Sequence, residues 1–168
     1  MDMGEHMVLE PTCVSATNLP LPPEQTAALS EYGIWSPPWA DPPAASDLGR
    51  NIEVPPALED QVLIWKNALL VREGVTGTVS VVSPPHAKLI ITTEKEWSTE
   101  LTADVVKRRE TRTVHVRSCE NAPGSYPGVI VMDSPACVVL SIKVDGHTEQ
   151  RLQVPYFGAQ CTEDLGRG

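Results

Sequence analysis

The residues of this chain whose chemistry is easiest to bound are its four cysteines, Cys13, Cys119, Cys137 and Cys161. Separated by 106, 18 and 24 positions, they form no CxxC pair and match no zinc-ligand spacing. An even number of cysteines in a chain rich in β-branched runs, with a proline-rich N-terminal third, points to two disulfides and so to an oxidising compartment. Four cysteines allow three connectivities. The expectation adopted is Cys137 with Cys161, tying the exit of the last strand back to its sheet, and Cys13 with Cys119, clamping the N-terminal region.

The remaining reactive types are scattered. His6, His86, His115 and His147 fall in a tail, a Pro-Pro turn, a strand face and a hairpin, and none has the i, i+4 spacing of a helical metal pair. Gly124-Ser125-Tyr126-Pro127-Gly128 only superficially resembles a nucleophile elbow. That motif needs its serine centred between glycines on a strand-to-helix turn, so a plain turn is expected here. No GxGxxG, P-loop or EF-hand loop occurs, and no catalytic residue, metal or cofactor is assigned. A hydrolytic or transfer enzyme would have to assemble its site from distant loops.

One run has concentrated charge. Lys107, Arg108, Arg109, Arg112 and Arg117 place five of thirteen bases within eleven residues. Strand alternation would put Arg109, Thr111, Thr113, His115 and Arg117 on one face. Such a stripe would either keep a sheet edge from self-association or bind an anion, a partner protein or the chain's own acids. No aromatic residue interleaves the bases, which argues against single-stranded nucleic acid.

The chain carries 22 acids against 13 bases in 168 residues, a net charge of -9, which argues against a nucleic-acid binder. Residues 1–60 hold ten acids and one base, while residues 61–168 hold twelve of each. Ten of the sixteen prolines share that first segment, several as pairs that remove ladder donors and favour extended backbone. Residues 1–60 therefore read as an acidic, largely irregular arm, with a short helix expected over 23–31 where Pro22-Pro23-Glu24 starts it and Gly33 follows. Trp35 and Trp39 sit in a proline-rich stretch, and a solvated linker seldom spends tryptophan. They are expected to pack back on the following domain, the alternatives being a ligand for a polyproline-binding groove or a spacer.

From residue 61 the pattern changes to short β-branched runs punctuated by Gly, Pro and Ser. Strands are expected at 69–72, 75–82, 88–93, 99–106, 111–117, 129–132, 137–144 and 148–155, with 58–66 left open between helix and strand. Asp145-Gly146 predicts a two-residue type I' hairpin. This density of strands predicts a mainly β domain over 61–161, an antiparallel β-sandwich of immunoglobulin-like kind with a barrel as the second choice, and residues 162–168 as a flexible tail. No window has the ~18 apolar residues of a membrane span, and the first residues carry no signal-peptide pattern.

The runs Val114-His115-Val116-Arg117-Ser118-Cys119, Tyr126-Pro127-Gly128-Val129-Ile130-Val131, Cys137-Val138-Val139-Leu140 and Gly158-Ala159-Gln160-Cys161 resemble uncharacterised exported or membrane-anchored proteins of actinobacteria. The resemblance covers about 50 C-terminal residues and implies an extracytoplasmic β domain with paired cysteines, behind a membrane segment that this sequence does not show. The function expected is an extracytoplasmic cell-envelope binding or structural module, whose partner is an envelope protein or an anionic polymer.

Overall fold

The structure, a computed structural model, describes residues 9–14, 33–48, 56–58 and 61–161. It is mainly β. Among the described residues, twelve strands run antiparallel in three sheets. Sheet A comprises β1 (Thr12–Cys13), β9 (Gly124–Tyr126), β4 (Leu69–Val71) and β2 (Ile34–Trp35), in that spatial order. Sheet B is β3 (Leu63–Lys66), β10 (Gly128–Met132), β6 (Lys88–Ile91) and β7 (Glu110–Thr111). Sheet C is β12 (Gln150–Tyr156), β11 (Ala136–Val144), β5 (Thr76–Ser83) and β8 (Thr113–Arg117).

Period-two patterning explains sheet C. Along β11, Ala136, Val138, Leu140, Ile142 and Val144 are buried while Cys137, Val139, Ser141 and Lys143 turn outward. Sheet B differs, because β10 is buried along its whole length. Ile130 and Met132 join the main core, which draws from all three sheets. Val129 and Val131 face the other way with Ile90, under Val106, Trp97 and Leu58. A strand covered on both faces reads as the continuous apolar run Gly-Val-Ile-Val-Met. Gly128 is required there, since a Cβ would lie 2.5 Å from the Ile90 carbonyl oxygen.

The run 99–106, expected as a strand, is helical instead. Glu96–Glu100 forms a π-helical turn, and Ala103–Arg109 forms helix α2. Thr102 caps α2 by accepting from the Val105 N–H, Asp104 lies in the first turn, and Lys107, Arg108 and Arg109 lie in the last. Each charge complements the helix dipole, and together they outweigh the β preference of Thr and Val. Two other expectations are corrected. Gly124–Tyr126 is a strand of sheet A rather than a turn. The Asp145-Gly146 connection is not a two-residue type I' turn, because only Gly146 has a positive φ (86°) and the β11–β12 ladder starts further out, at Ile142 and Gln150. The segment left open gives a 3-10 turn at Pro56–Leu58 and then β3.

Where described, the proline-rich region is ordered into the fold. β2 pairs with β4 and β1 with β9, so both outer strands of sheet A come from residues before 61. A short helix α1 (Pro37–Ala40) follows β2. Trp35 and Trp39 are buried, and Trp39 belongs to the main core with Leu9 and Ile34. The helix expected over 23–31 and the tail 162–168 lie outside the described residues.

Two disulfides are present, Cys13–Cys119 and Cys137–Cys161. The first joins a strand of sheet A to the exit of β8 in sheet C. Around it, the Tyr126 hydroxyl accepts from the Arg117 N–H at 2.9 Å and lies 2.9 Å from the Leu9 carbonyl, to which it donates. Burial pushes this phenol's pKa up, so it stays protonated and able to donate.

Candidate functional site

The five bases of the expected stripe do not form one surface. Helix α2 carries Lys107, Arg108 and Arg109, Arg112 lies between β7 and β8, and Arg117 ends β8. Arg109 grips Glu96 through Nε at 3.0 Å and Nη2 at 2.7 Å, and Arg108 adds a longer contact at 3.4 Å. Glu96 is a buried acid that also accepts from the Thr93 N–H, while Thr93 Oγ1 accepts from the Glu96 N–H. Burial alone would raise its pKa, but Arg109, Thr93 and Arg108 together hold the carboxyl below its ordinary value.

Arg112 is spent on backbone. Its guanidinium donates to the carbonyls of Val81, Val82, Pro84, Pro85 and Ala87, at 2.6 to 3.2 Å. This is the place where β5 leaves sheet C for β6 of sheet B, and where the chain returns from β7 to β8. Arg112 thus pins both crossings between the two sheets. Arg117 pairs with Glu10, a contact between an arm acid and the basic run. Lys107 is exposed. Trp35 and Trp39 are interior rather than presented to a partner, and their indole N–H groups, with the Ser36 hydroxyl, are buried without hydrogen-bond partners.

Two surfaces stand out among the described residues. The first is the outward face of sheet C, where register aligns residues in rows across the strands. One row runs Arg151, Ser141, Ser80 and Thr113, and the next runs Lys143, Thr78 and His115. With strands about 4.8 Å apart, this is a ladder of hydroxyls at regular spacing. Ser80 and Thr113 hydroxyls are 3.0 Å apart, and Thr78 Oγ1 is 3.1 Å from His115 Nδ1. Lys143 donates to the His147 carbonyl at 2.8 Å, Arg151 is paired with Glu149, which also accepts from Ser141, and Arg117 at the end of β8 is paired with Glu10. Hydrogen bonds from Ser141 and Arg151 hold the Glu149 carboxyl below its ordinary value. The expected alternation of Thr113, His115 and Arg117 holds in β8, while Arg109 and Thr111 lie in other elements.

The second is a cleft of about 300 Å³ at one end of sheet B, lined by Gln61, Pro85, His86, Lys88, Glu110, Val131, Met132 and Asp133. Its polar groups come from the starts of β3, β6 and β7 and from the end of β10. His86 Nδ1 accepts from the backbone N–H of Asp133 at 3.1 Å, and Lys88 lies 3.6 Å from Glu110. The lining contains no Ser, Thr or Cys, so the histidine has no hydroxyl or thiol there to activate. Among the described residues no cluster of three His, Cys, Asp or Glu is arranged to hold a metal. Sequence reasoning missed this cleft because its members lie in four separate segments with no local motif.

Compared with family models, curated proteins and solved structures, the chain matches none of them.

Proposed function

We propose that the protein is an extracytoplasmic binding or structural module of the cell envelope that engages an anionic polymer through the outward face of sheet C. The observation that carries this reading is the aligned hydroxyl and basic rows of that face. A surface four strands wide, with hydroxyls at repeating intervals and the Lys143 and Arg151 cations beside them, suits a repeating anionic chain better than a small substrate. Two disulfides support an oxidising compartment. No described helix is long and apolar enough to cross a membrane. The cleft has no Ser, Thr or Cys beside its histidine, so it supports acyl transfer through a Ser–His or Cys–His pair less well.

The reading is tested by titrating the protein with polyglycerol-phosphate oligomers at low salt. The Lys143→Glu/Arg151→Glu variant should bind at least about tenfold more weakly, and the parent affinity should fall as salt rises. Equal binding by parent and variant would refute the reading, as would an absence of binding by the parent.

A further inference from the structure

Lys143 and Arg151, the cations of the sheet C rows, are both held by acceptors of one loop, residues 145–149, which joins β11 to β12. Lys143 Nζ donates to the His147 carbonyl at 2.8 Å, and Arg151 Nε donates to Glu149 Oε2 at 3.1 Å. The Ser141 hydroxyl donates to the same Oε2 atom, so two donors from neighbouring strands converge on one anionic oxygen. Ser141 and Arg151 stand opposite each other in the row that runs on through Ser80 and Thr113. Hydrogen bonds from Ser141 and Arg151, with the charge of Lys143 in addition, hold the Glu149 carboxyl below its ordinary value, so at neutral pH it is an anion. The Glu149 and Arg151 side chains are 41% and 40% exposed, so a ligand reaches the pair from solvent without the sheet moving. An exposed pair of this kind is held weakly, and a competing anion can displace it.

We infer that Ser141 Oγ and Arg151 Nε form a subsite for one anionic oxygen of the polymer, and that Glu149 occupies this subsite as an internal competitor until a repeat of the polymer displaces it. The inference rests on the reading of the sheet C face and adds to it a specific subsite and a brake. A phosphodiester oxygen takes the place of Glu149 Oε2 between the same two donors, and the neighbouring repeats lie over Ser80 and Thr113. The loop thereby sets the affinity of the face, because each binding event first costs the hydrogen bonds that Glu149 makes.

The test titrates the intact, oxidised chain with polyglycerol-phosphate oligomers at low salt, beside its Glu149→Gln and Asp145→Asn variants. Glu149→Gln keeps the shape of the side chain and removes the competing charge. Asp145→Asn removes the same charge from the same exposed loop, at a residue whose contact to the Thr76 carbonyl is made by its backbone N–H. Glu149→Gln should bind about threefold more tightly than the parent, or better, whereas Asp145→Asn should gain less than about twofold. Both replacements are nearly isosteric and exposed, and the variants' amide spectra report whether the fold is kept. In the parent, the carboxyl carbon of Glu149 should shift along the same titration curve as the Ser141 amide, as displacement requires. If the parent binds and Glu149→Gln binds no more tightly, the inference is overturned while the sheet C reading stands. The same holds if the two variants gain alike, since net charge alone then accounts for the change, or if the Glu149 carboxyl carbon does not move. If none of the three chains binds, the sheet C reading fails and the inference fails with it.

Discussion

Replacing Arg109 with methionine should be among the most costly single changes on this protein's surface-facing helix. Glu96 has a side chain only 10% exposed, against 28% for Arg109 and 60% for Arg108. Removing the guanidinium strands a buried carboxylate, and breaking such a pair from one side costs about 3 to 5 kcal/mol. Thr93 and Arg108 still serve Glu96, so the lower end, about 3 kcal/mol, is expected. Arg108→Met removes a longer, solvent-screened contact and should cost less than about 1 kcal/mol. Urea denaturation of the two variants beside the parent measures the difference, and repeating it across pH adds a second check. Glu96 is held below its ordinary value of 4.5 in the folded state, so its stabilisation is complete above that value and is lost as pH falls through the folded pKa. The gap between parent and Arg109→Met should therefore close under acid. Equal small costs for the two arginine variants, or a gap unchanged by acid, would refute the reasoning.

Ser36 is fully buried, its hydroxyl has no partner, and it makes no side-chain cap to α1. Ser36→Ala should raise stability by about 1 kcal/mol or more in thermal melts, because it deletes an unsatisfied polar group and little else. Thiol titration of the denatured, unreduced protein should find no free cysteine. Chain entropy ranks the crosslinks: losing Cys13–Cys119, whose ends are 106 positions apart, should cost about 4.7 kcal/mol, and losing Cys137–Cys161, 24 positions apart, about 3.4 kcal/mol. Melts of the paired alanine variants in which the second loses more would contradict that ranking.

The strands of sheet C were legible because each buries one face, so alternation of Val and Ile with Ser, Thr and Lys survives in the sequence. The same patterning exposed Thr113, His115 and Arg117 as a shared face. Helix α2 carries start and stop signals in Thr102, Asp104 and the Lys107-Arg108-Arg109 run, but Val105 and Val106 suit a strand equally well and mask them. How the strands divide among three sheets had no local signal. It depends on long-range contacts such as Arg112 with the carbonyls of residues 81–87, and on β1 and β2 arriving from the proline-rich region. The basic run looked like a surface only because sequence does not show that Glu96, Glu10 and backbone carbonyls lie within reach.

Mapping amide shifts on addition of polyglycerol-phosphate oligomers tests the proposed binding surface, the outward face of sheet C. The largest saturable changes are expected at Thr78, Ser80, Thr113, His115, Ser141, Lys143 and Arg151, across all four strands and reversed by salt. Changes confined to α2 and Lys107, or to the sheet B cleft, with the sheet C rows unmoved, would contradict it.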